Sequence, residues 1–216
     1  MDDSDVGRFG EAPLPQTVAA AEGIRRLMST LLSLEQPTPV VDAMVAQFAE
    51  WERDLAPALP PDPTPRMATD DGSKRLYLQR AFDVGVFNPC FPHYQFSDIS
   101  AESASGRVTF SVLYEGPPGL VHGGFLGVFF DSVIQHQSCA VGRSGKTRSL
   151  NIRYRRPTPL DTELRFDIVR AEHDRGITAT ARLLLDETVL CIGEAETVVM
   201  APELMSANRF ARRRTD

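Results

Sequence analysis

The stretch Tyr114–Asp131 constrains this chain most, because a turn rich in Gly and Pro runs directly into an apolar segment that carries one carboxylate: YEGPPGLVHGGFLGVFFD. Two glycines after His122 allow a sharp turn and a close approach of backbone N–H groups to a ligand. A helix that begins there has unpaired N–H groups and the positive end of its dipole at the turn. We therefore predict a binding position for a negatively charged or polarised oxygen, either a phosphate or the developing oxyanion of acyl transfer.

Asp131 lies in the segment FLGVFFDSVI, in which every other residue is apolar, Gly or Ser. This setting predicts a carboxylate withdrawn from bulk water, and such a group must be paired, protonated or used in chemistry. Gly124 and Asp131 share a helical face but lie about 10 Å apart along the axis. A general base must come within about 3 Å of its target or act through one water. Two helices packed antiparallel across a two-fold axis would bring the turn of one to the Asp of the other.

The motifs that follow this stretch carry a family resemblance. His122-Gly123-Gly124 is followed by Asp131 and then by the strand-like segment TRSLNIRYRRP at 147–157. This ordered set resembles the hotdog-fold acyl-CoA thioesterases of the PaaI-like branch. The EGPPG approach to the His is closest to the subgroup of thioesterase-superfamily-member proteins. The resemblance covers roughly residues 88 to 202.

The resemblance implies an α+β hotdog fold, in which an antiparallel sheet wraps one long central helix. It also implies thioester hydrolysis in a site shared between the subunits of a dimer. In such a site the N–H groups of Gly123 and Gly124 would polarise the carbonyl, and Asp131 would act as general base or, alternatively, as nucleophile. Thr147 occupies the position that in relatives hydrogen-bonds water or the carboxylate, or it simply begins a strand. His122 is expected to order the turn by hydrogen bonding.

Six further residues are predicted to contact the substrate. Phe125 is expected to pack in the core and, secondarily, to line the acyl pocket. Gly127 has no side chain, which leaves space where a second helix would approach. The alternating arginines of 147–157 would bind coenzyme A phosphates or be solvated on an outward strand face. The resemblance implies no metal and no redox cofactor, since the coenzyme A thioester is itself the substrate. The predicted substrate-binding residues are Phe125, Gly127, Val128, Arg148, Ser149 and Arg156.

One departure and two alternatives remain at this point. Some relatives carry an Asn shortly before the HGG run, whereas this chain has Glu115-Gly116-Pro117-Pro118 there. A non-catalytic acyl-CoA-binding protein would keep the fold without needing Asp131. A hotdog hydratase or dehydratase is disfavoured, because the sequence after Asn88-Pro89 lacks the Ile-His of the hydratase segment.

Composition limits the partners and the compartment. A formal charge of −6 and a pI near 5.3 argue against nucleic acid as a partner. The three cysteines are widely spaced without a CxxC pair, which is typical of reduced thiols. The N-terminus lacks the pattern of a signal peptide, and no segment approaches the roughly 20 apolar residues of a membrane span. We expect a cytoplasmic protein without membrane contact, which forms a homodimer or a dimer of dimers.

The order of elements predicts three parts. Residues 1–73 form an N-terminal extension with a disordered start, two helices and a Pro-rich linker, residues 74–203 form the hotdog domain, and residues 204–216 form a basic tail. The first helix ends before Pro37, and the second begins at Thr38-Pro39. Their apolar stripes must be buried either on each other and the main domain or on a second subunit.

The strands of the hotdog domain are predicted from alternation. They form an antiparallel meander on the central helix, which is expected over 124–141. The predicted strands are an edge strand within 74–86, then 108–114, 147–155, 164–170, 177–185 and 189–200.

Overall fold

A computed structural model describes residues 15–59, 84–143, 145–174 and 176–199. Several predictions lie outside these residues: the disordered start over 1–14, most of the Pro-rich linker, the first part of the edge strand at 74–83, and the basic tail at 204–216. Both predicted domain boundaries also lie outside them. No helix in the described ranges is long and apolar enough to cross a membrane.

The described chain contains four α-helices and six strands. Two short 3₁₀ turns, at Ala56–Ala58 and Val112–Tyr114, separate some of them. The helices are α1 (Pro15–Leu32), α2 (Pro39–Leu55), α3 (Val84–Phe87) and α4 (Gly123–Ala140). The strands are β1 (Tyr94–Ile99), β2 (Ser103–Thr109), β3 (Gly145–Tyr154), β4 (Glu163–His173), β5 (Gly176–Leu185) and β6 (Thr188–Val199).

The six strands form one antiparallel sheet in the order β1-β2-β4-β5-β6-β3. Strands β4, β5 and β6 make the predicted meander. β3 precedes them in sequence but pairs with β6, and this places it at one edge of the sheet, beside α4. The predicted α+β architecture is therefore confirmed.

The core lies between α4 and the sheet. Phe129, Phe130 and Val133 on the helix are fully buried and belong to the same cluster as Phe166 and Leu183 on the strands. The helix comes so close to β6 that a Cβ added at Gly193 would lie 2.6 Å from the ring of Phe130. Burial in this core also raises the pKa of the Cys191 thiol to about 11, which keeps it protonated at neutral pH.

Three strand predictions need correction. The strand predicted over 108–114 ends at Thr109, which pairs with Glu163 at the very start of β4, so the chain beyond it has no partner strand and turns into a 3₁₀ turn. The described part of the edge strand predicted within 74–86 is helical, since Val84–Phe87 forms α3. Strand β1 is not among the predicted strands, because its exposed and buried residues alternate poorly around a bulge between Phe96 and Asp98.

The two N-terminal helices form as predicted but differ in how they pack. The Thr38 side chain accepts a hydrogen bond from the Val40 N–H at the start of α2, as expected of an N-cap. Helix α1 contacts α3 and the 112–114 turn, and Arg25 donates to the Asn88 carbonyl at 3.1 Å. Helix α2 has no buried residue, and its Trp51 is 52% exposed. Among the described residues, the apolar stripe of α2 therefore stays exposed.

Candidate active site

The start of α4 is capped by its own histidine. His122 is the N-cap residue, and its Nδ1 accepts a hydrogen bond from the Gly124 N–H at 3.0 Å. The Gly123 N–H has no acceptor among the described residues. Of the two backbone donors predicted at this turn, one is thus engaged by the cap and one is left for a ligand.

The turn before the helix is held by backbone hydrogen bonds. The His122 N–H donates to the Tyr114 carbonyl at 2.8 Å, and the Glu115 carboxylate accepts from the Gly119 N–H at 2.7 Å. Gly119 has φ of +75°, a conformation that favours glycine. A Cβ at Gly116 would lie 2.8 Å from the His122 Cα. The EGPPG segment therefore fixes the position of the HGG run.

A hydrogen-bonded cluster surrounds Asp131, two turns further along α4. The Thr147 hydroxyl donates to Asp131 Oδ1 at 2.7 Å. The Gln135 side-chain amide donates to Thr147 Oγ1 at 2.8 Å and to Thr197 Oγ1 at 3.2 Å. Asp131 is half-buried, and its Oδ2 accepts no hydrogen bond from the described residues. One carboxylate oxygen is thus fixed, and the other is available to a ligand or to water.

A bulge in β3 gives Thr147 its orientation. The register against β6 shifts between Thr147 and Ser149, so Arg148 is the extra residue. Strict alternation from Leu150 and Ile152, which face the helix, would turn Thr147 toward the opposite face of the sheet. The bulge returns Thr147 to the helix-facing side, where it reaches Asp131.

The predicted substrate-binding residues fall into two groups. Phe125, Gly127 and Val128 lie on α4: Phe125 packs edge-on against Tyr114, and a Cβ at Gly127 would lie 3.5 Å from the Ile152 side chain. The other group lies on and after β3, where Arg148, Ser149 and Arg156 are exposed.

A cleft of about 440 Å³ opens beside the start of α4. Its walls include Gly123, Tyr154, Arg155 and Arg156, and the Tyr154 hydroxyl donates to the Gly123 carbonyl at 3.0 Å. Neither arginine side chain makes a hydrogen bond or an ion pair within the described ranges, whereas the nearby Arg153 is paired with Glu194 at 2.6 Å. Two free guanidinium groups therefore border the cleft.

His136, a further helix residue that could line a pocket, has a structural position. A hydrogen bond of 3.0 Å joins its Nδ1 to the Tyr94 hydroxyl, and its ring packs edge-on against Phe96. Burial lowers the pKa of His136, which favours the neutral ring. In the part of the chain that the structure describes, no three His, Cys, Asp or Glu side chains gather as a metal site would require.

The structure thus gives two separate half-sites on one helix. The helix start offers a backbone N–H and a cleft, and the middle of the helix offers a carboxylate. They lie about 10 Å apart along the axis. Gln135, which sequence reasoning missed, joins the second half-site. Its position one turn after Asp131 was the only available signal, and that signal does not distinguish it from any other polar residue on the helix.

Comparisons with known proteins place the fold. No protein-family model matches the chain, and no curated protein does. A crystal structure of a thioesterase superfamily protein is similar over 91% of this chain and 98% of that one, with a TM-score of 0.70 and 25% sequence identity.

Two further similarities are confined to about half of the chain. Thioesterase superfamily member 2 from Mus musculus matches 49% of this chain and 80% of its own, at 16% identity and a TM-score of 0.45. A hypothetical thioesterase from Streptococcus pneumoniae, solved with coenzyme A, matches 50% and 90%, at 16% identity and a TM-score of 0.48. The full-length similarity together with the helix and six-stranded sheet establishes the hotdog fold that the sequence predicts.

Proposed function

We propose that this chain hydrolyses acyl-CoA thioesters to a free acid and coenzyme A, as an enzyme of the HGG-containing, PaaI-like type. The observation that carries the proposal is the half-buried Asp131, whose Oδ1 is held by the Thr147 hydroxyl at 2.7 Å while Oδ2 accepts no hydrogen bond from the described residues. A carboxylate on the apolar face of a core helix is costly to bury, so its presence there indicates a function. The full-length similarity to a thioesterase superfamily protein supports thioester chemistry as that function.

The proposed reaction uses Asp131 as general base. Its Oδ2 takes a proton from a water molecule while the water oxygen attacks the thioester carbonyl carbon. The resulting oxyanion accepts a hydrogen bond from the Gly123 N–H at the positive end of α4. Collapse of the tetrahedral intermediate breaks the C–S bond, and the leaving coenzyme A thiolate takes the proton that Asp131 removed from water, which regenerates the carboxylate. The carbonyl carbon keeps the oxygen of water as part of the acid.

Asp131 as nucleophile is the alternative within this proposal. Its oxygen would then attack the carbonyl and form a mixed anhydride, which water hydrolyses in a second step. A single turnover in ¹⁸O-labelled water tests for an anhydride that water opens at its aspartyl carbonyl. Direct attack by water puts the label into the product acid, whereas water attack on the aspartyl carbonyl leaves the label in the protein.

The two half-sites meet if two chains pair through β3. In the described chain β3 has a neighbour only on its β6 side, and the face of α4 that carries Gly127 and Asp131 packs against β3. Antiparallel pairing of two β3 strands would set the two α4 helices antiparallel across a two-fold axis. Each Asp131 would then face the turn of the partner chain. This homodimer, alone or doubled into a tetramer, is part of the proposal.

The cleft at the helix start is the proposed position of the coenzyme A portion. Its exposed Arg155 and Arg156 carry charges that suit phosphate groups, and Gly123 on its wall presents the polarising N–H. The acyl chain would lie on the other side of the thioester, along the helix surface at Phe125 and Val128.

Release of free thiol from short, medium, long and aromatic acyl-CoAs tests the proposal. We expect the wild type to cleave at least one of these thioesters, and Asp131→Asn to reduce kcat for it by about two orders of magnitude or more, since a general base contributes 10²–10⁴-fold. Asp98→Asn is the matched control, because Asp98 is exposed on β1. The assay is best run in a Cys90→Ser background, since Cys90 is exposed and would react with thiol reagents.

Hydrolysis of no thioester by a folded wild type would contradict the proposal. An Asp131→Asn variant as fast as the control would remove Asp131 from the reaction.

A further inference from the structure

The side-chain amide of Gln135 lies between the hydroxyls of two threonines on neighbouring, paired strands. Thr147 on β3 and Thr197 on β6 are register partners, and the Gln135 nitrogen lies 2.8 Å from the first oxygen and 3.2 Å from the second. Thr197 is only 2% exposed. The helix residue one turn beyond Asp131 is thus tied to both strands that pack beside it.

The hydrogen-bond donors and acceptors of this cluster determine which group donates to which. An amide NH₂ group has two hydrogens to donate and no lone pair to accept with. Since Gln135 donates to Thr147, the hydroxyl proton of Thr147 must find its acceptor elsewhere. The acceptor within reach is Asp131 Oδ1 at 2.7 Å. Proton donation therefore runs from Gln135 to Thr147 to Asp131.

We infer that Gln135 is a positioning residue for the reaction, which holds the Thr147 hydroxyl with its proton aimed at Asp131 and so fixes the orientation of the carboxylate. This inference rests on the proposed function. Without Gln135, the Thr147 hydroxyl could rotate its proton toward another acceptor, and Asp131 would lose the bond that holds Oδ1. The free Oδ2 would then no longer be held where it meets water.

A structural role for Gln135, which merely ties α4 to the sheet, predicts a different pattern of variants. In that case its removal would lower stability, and a loss of rate would remain in the Thr147→Val background because the contact with Thr197 would still be lost. A positioning role acts only through the Thr147 hydroxyl. The two roles therefore separate in a double-mutant cycle, which measures whether the effects of two changes are independent.

The test compares kcat and KM of the wild type, Gln135→Met, Thr147→Val and the double variant on a cleaved acyl-CoA. Met keeps the length of Gln without its donors, and Val keeps the shape of Thr without its hydroxyl. We expect Gln135→Met to lower kcat about tenfold, the equivalent of one hydrogen bond, with KM within about twofold. In the Thr147→Val background the same change should lower kcat by less than about twofold. Thr147→Ser, which keeps the hydroxyl, should retain the effect of Gln135→Met.

A Gln135→Glu variant covers the case in which the Met variant does not fold. Its carboxylate would accept the Thr147 proton instead of donating to the oxygen, so kcat should fall at least tenfold. Gln95→Glu, on the exposed side of β1, adds the same charge away from the cluster and should leave kcat unchanged.

Three results would overturn the inference, and they are distinguishable. A folded Gln135→Glu or Gln135→Met variant with the kcat of the wild type would show that Gln135 does not position anything. Equal losses in the Thr147 and Thr147→Val backgrounds would show a structural role. A wild type that cleaves no thioester would overturn the proposed function itself, and this role with it.

Discussion

The two half-sites on α4 are built in different ways. In the proposed reaction, the start of the helix acts through the backbone: the cap leaves the Gly123 N–H without an acceptor among the described residues, and side chains hold the turn in place. In the middle of the helix the chemistry comes from side chains, where Asp131 depends on Thr147 and Thr147 contacts Gln135. We therefore expect the first half-site to tolerate changes of side chain that spare the backbone, and the second to depend on each of its members.

The two half-sites also differ in which parts of the fold they depend on. The turn is held by local hydrogen bonds, such as that from the His122 N–H to the Tyr114 carbonyl at 2.8 Å, and by bonds to the segment after β3, such as that from the Val121 N–H to the Thr158 carbonyl at 2.9 Å. The carboxylate cluster draws on α4, β3 and β6, and it requires the bulge at Arg148 to aim Thr147 inward. Changes at the turn should therefore act on the chemistry directly, and distant changes in β3 should act on the carboxylate.

Removal of the Gly123 N–H should have the largest effect at the backbone half-site. Gly123→Pro deletes only this donor, because Pro fits the first position of a helix and His122, with ψ of 132°, already has the conformation favoured before Pro. We expect kcat about 10²–10³-fold below that of Gly123→Ala, the range for one oxyanion donor. Steady-state kinetics on the best acyl-CoA would measure it.

Gly123→Ala is the matched control for this change. A Cβ at residue 123 would lie 2.9 Å from the Tyr154 hydroxyl in either variant, so both must displace that exposed side chain. The difference in kcat between the two variants therefore measures the contribution of the Gly123 N–H. Equal rates for Pro and Ala would mean that the Gly123 N–H does not stabilise the transition state.

A smaller effect should come from the charged wall of the cleft. Arg156→Ala removes a free guanidinium from a surface proposed to bind the coenzyme A phosphates, so KM should rise about threefold to tenfold with kcat nearly unchanged. Added salt should raise the KM of the wild type toward that of the variant. Arg153→Ala is the comparison, since Arg153 is already paired with Glu194. An equal rise of KM in both would count against a phosphate site at Arg156.

The sequence predicted those parts of the fold whose signal is local. The HGG turn, the apolar helix and the strands of the meander all follow from periodicity and from turn residues, and the Thr38 cap follows from a short motif. The ends of β2 and the existence of β1 do not, because both depend on which partner strand is present. Thr109 ends β2 only because β4 begins at Glu163, its partner.

The candidate site shows the same division. The carboxylate and the turn could be predicted, since an Asp in an apolar helix and two glycines after a His are unusual in themselves. Alternation along β3 assigns Thr147 to the outward face, and only the bulge reverses it. Gln135 could not be found at all, because its partners are a residue twelve positions away and Thr197 on a later strand.

The most direct test of a site shared between two helices is whether two inactive variants regain activity when they form a mixed dimer. Asp131→Asn chains keep an intact turn and Gly123→Pro chains keep an intact carboxylate, so a mixed dimer has one complete site if each site draws on both chains. After denaturation and joint refolding in equal amounts, random pairing should recover about a quarter of the wild-type specific activity. Each variant refolded alone should stay near its own residual rate. Recovery of no activity, with mixed dimers present by native mass spectrometry, would contradict a site shared between two helices.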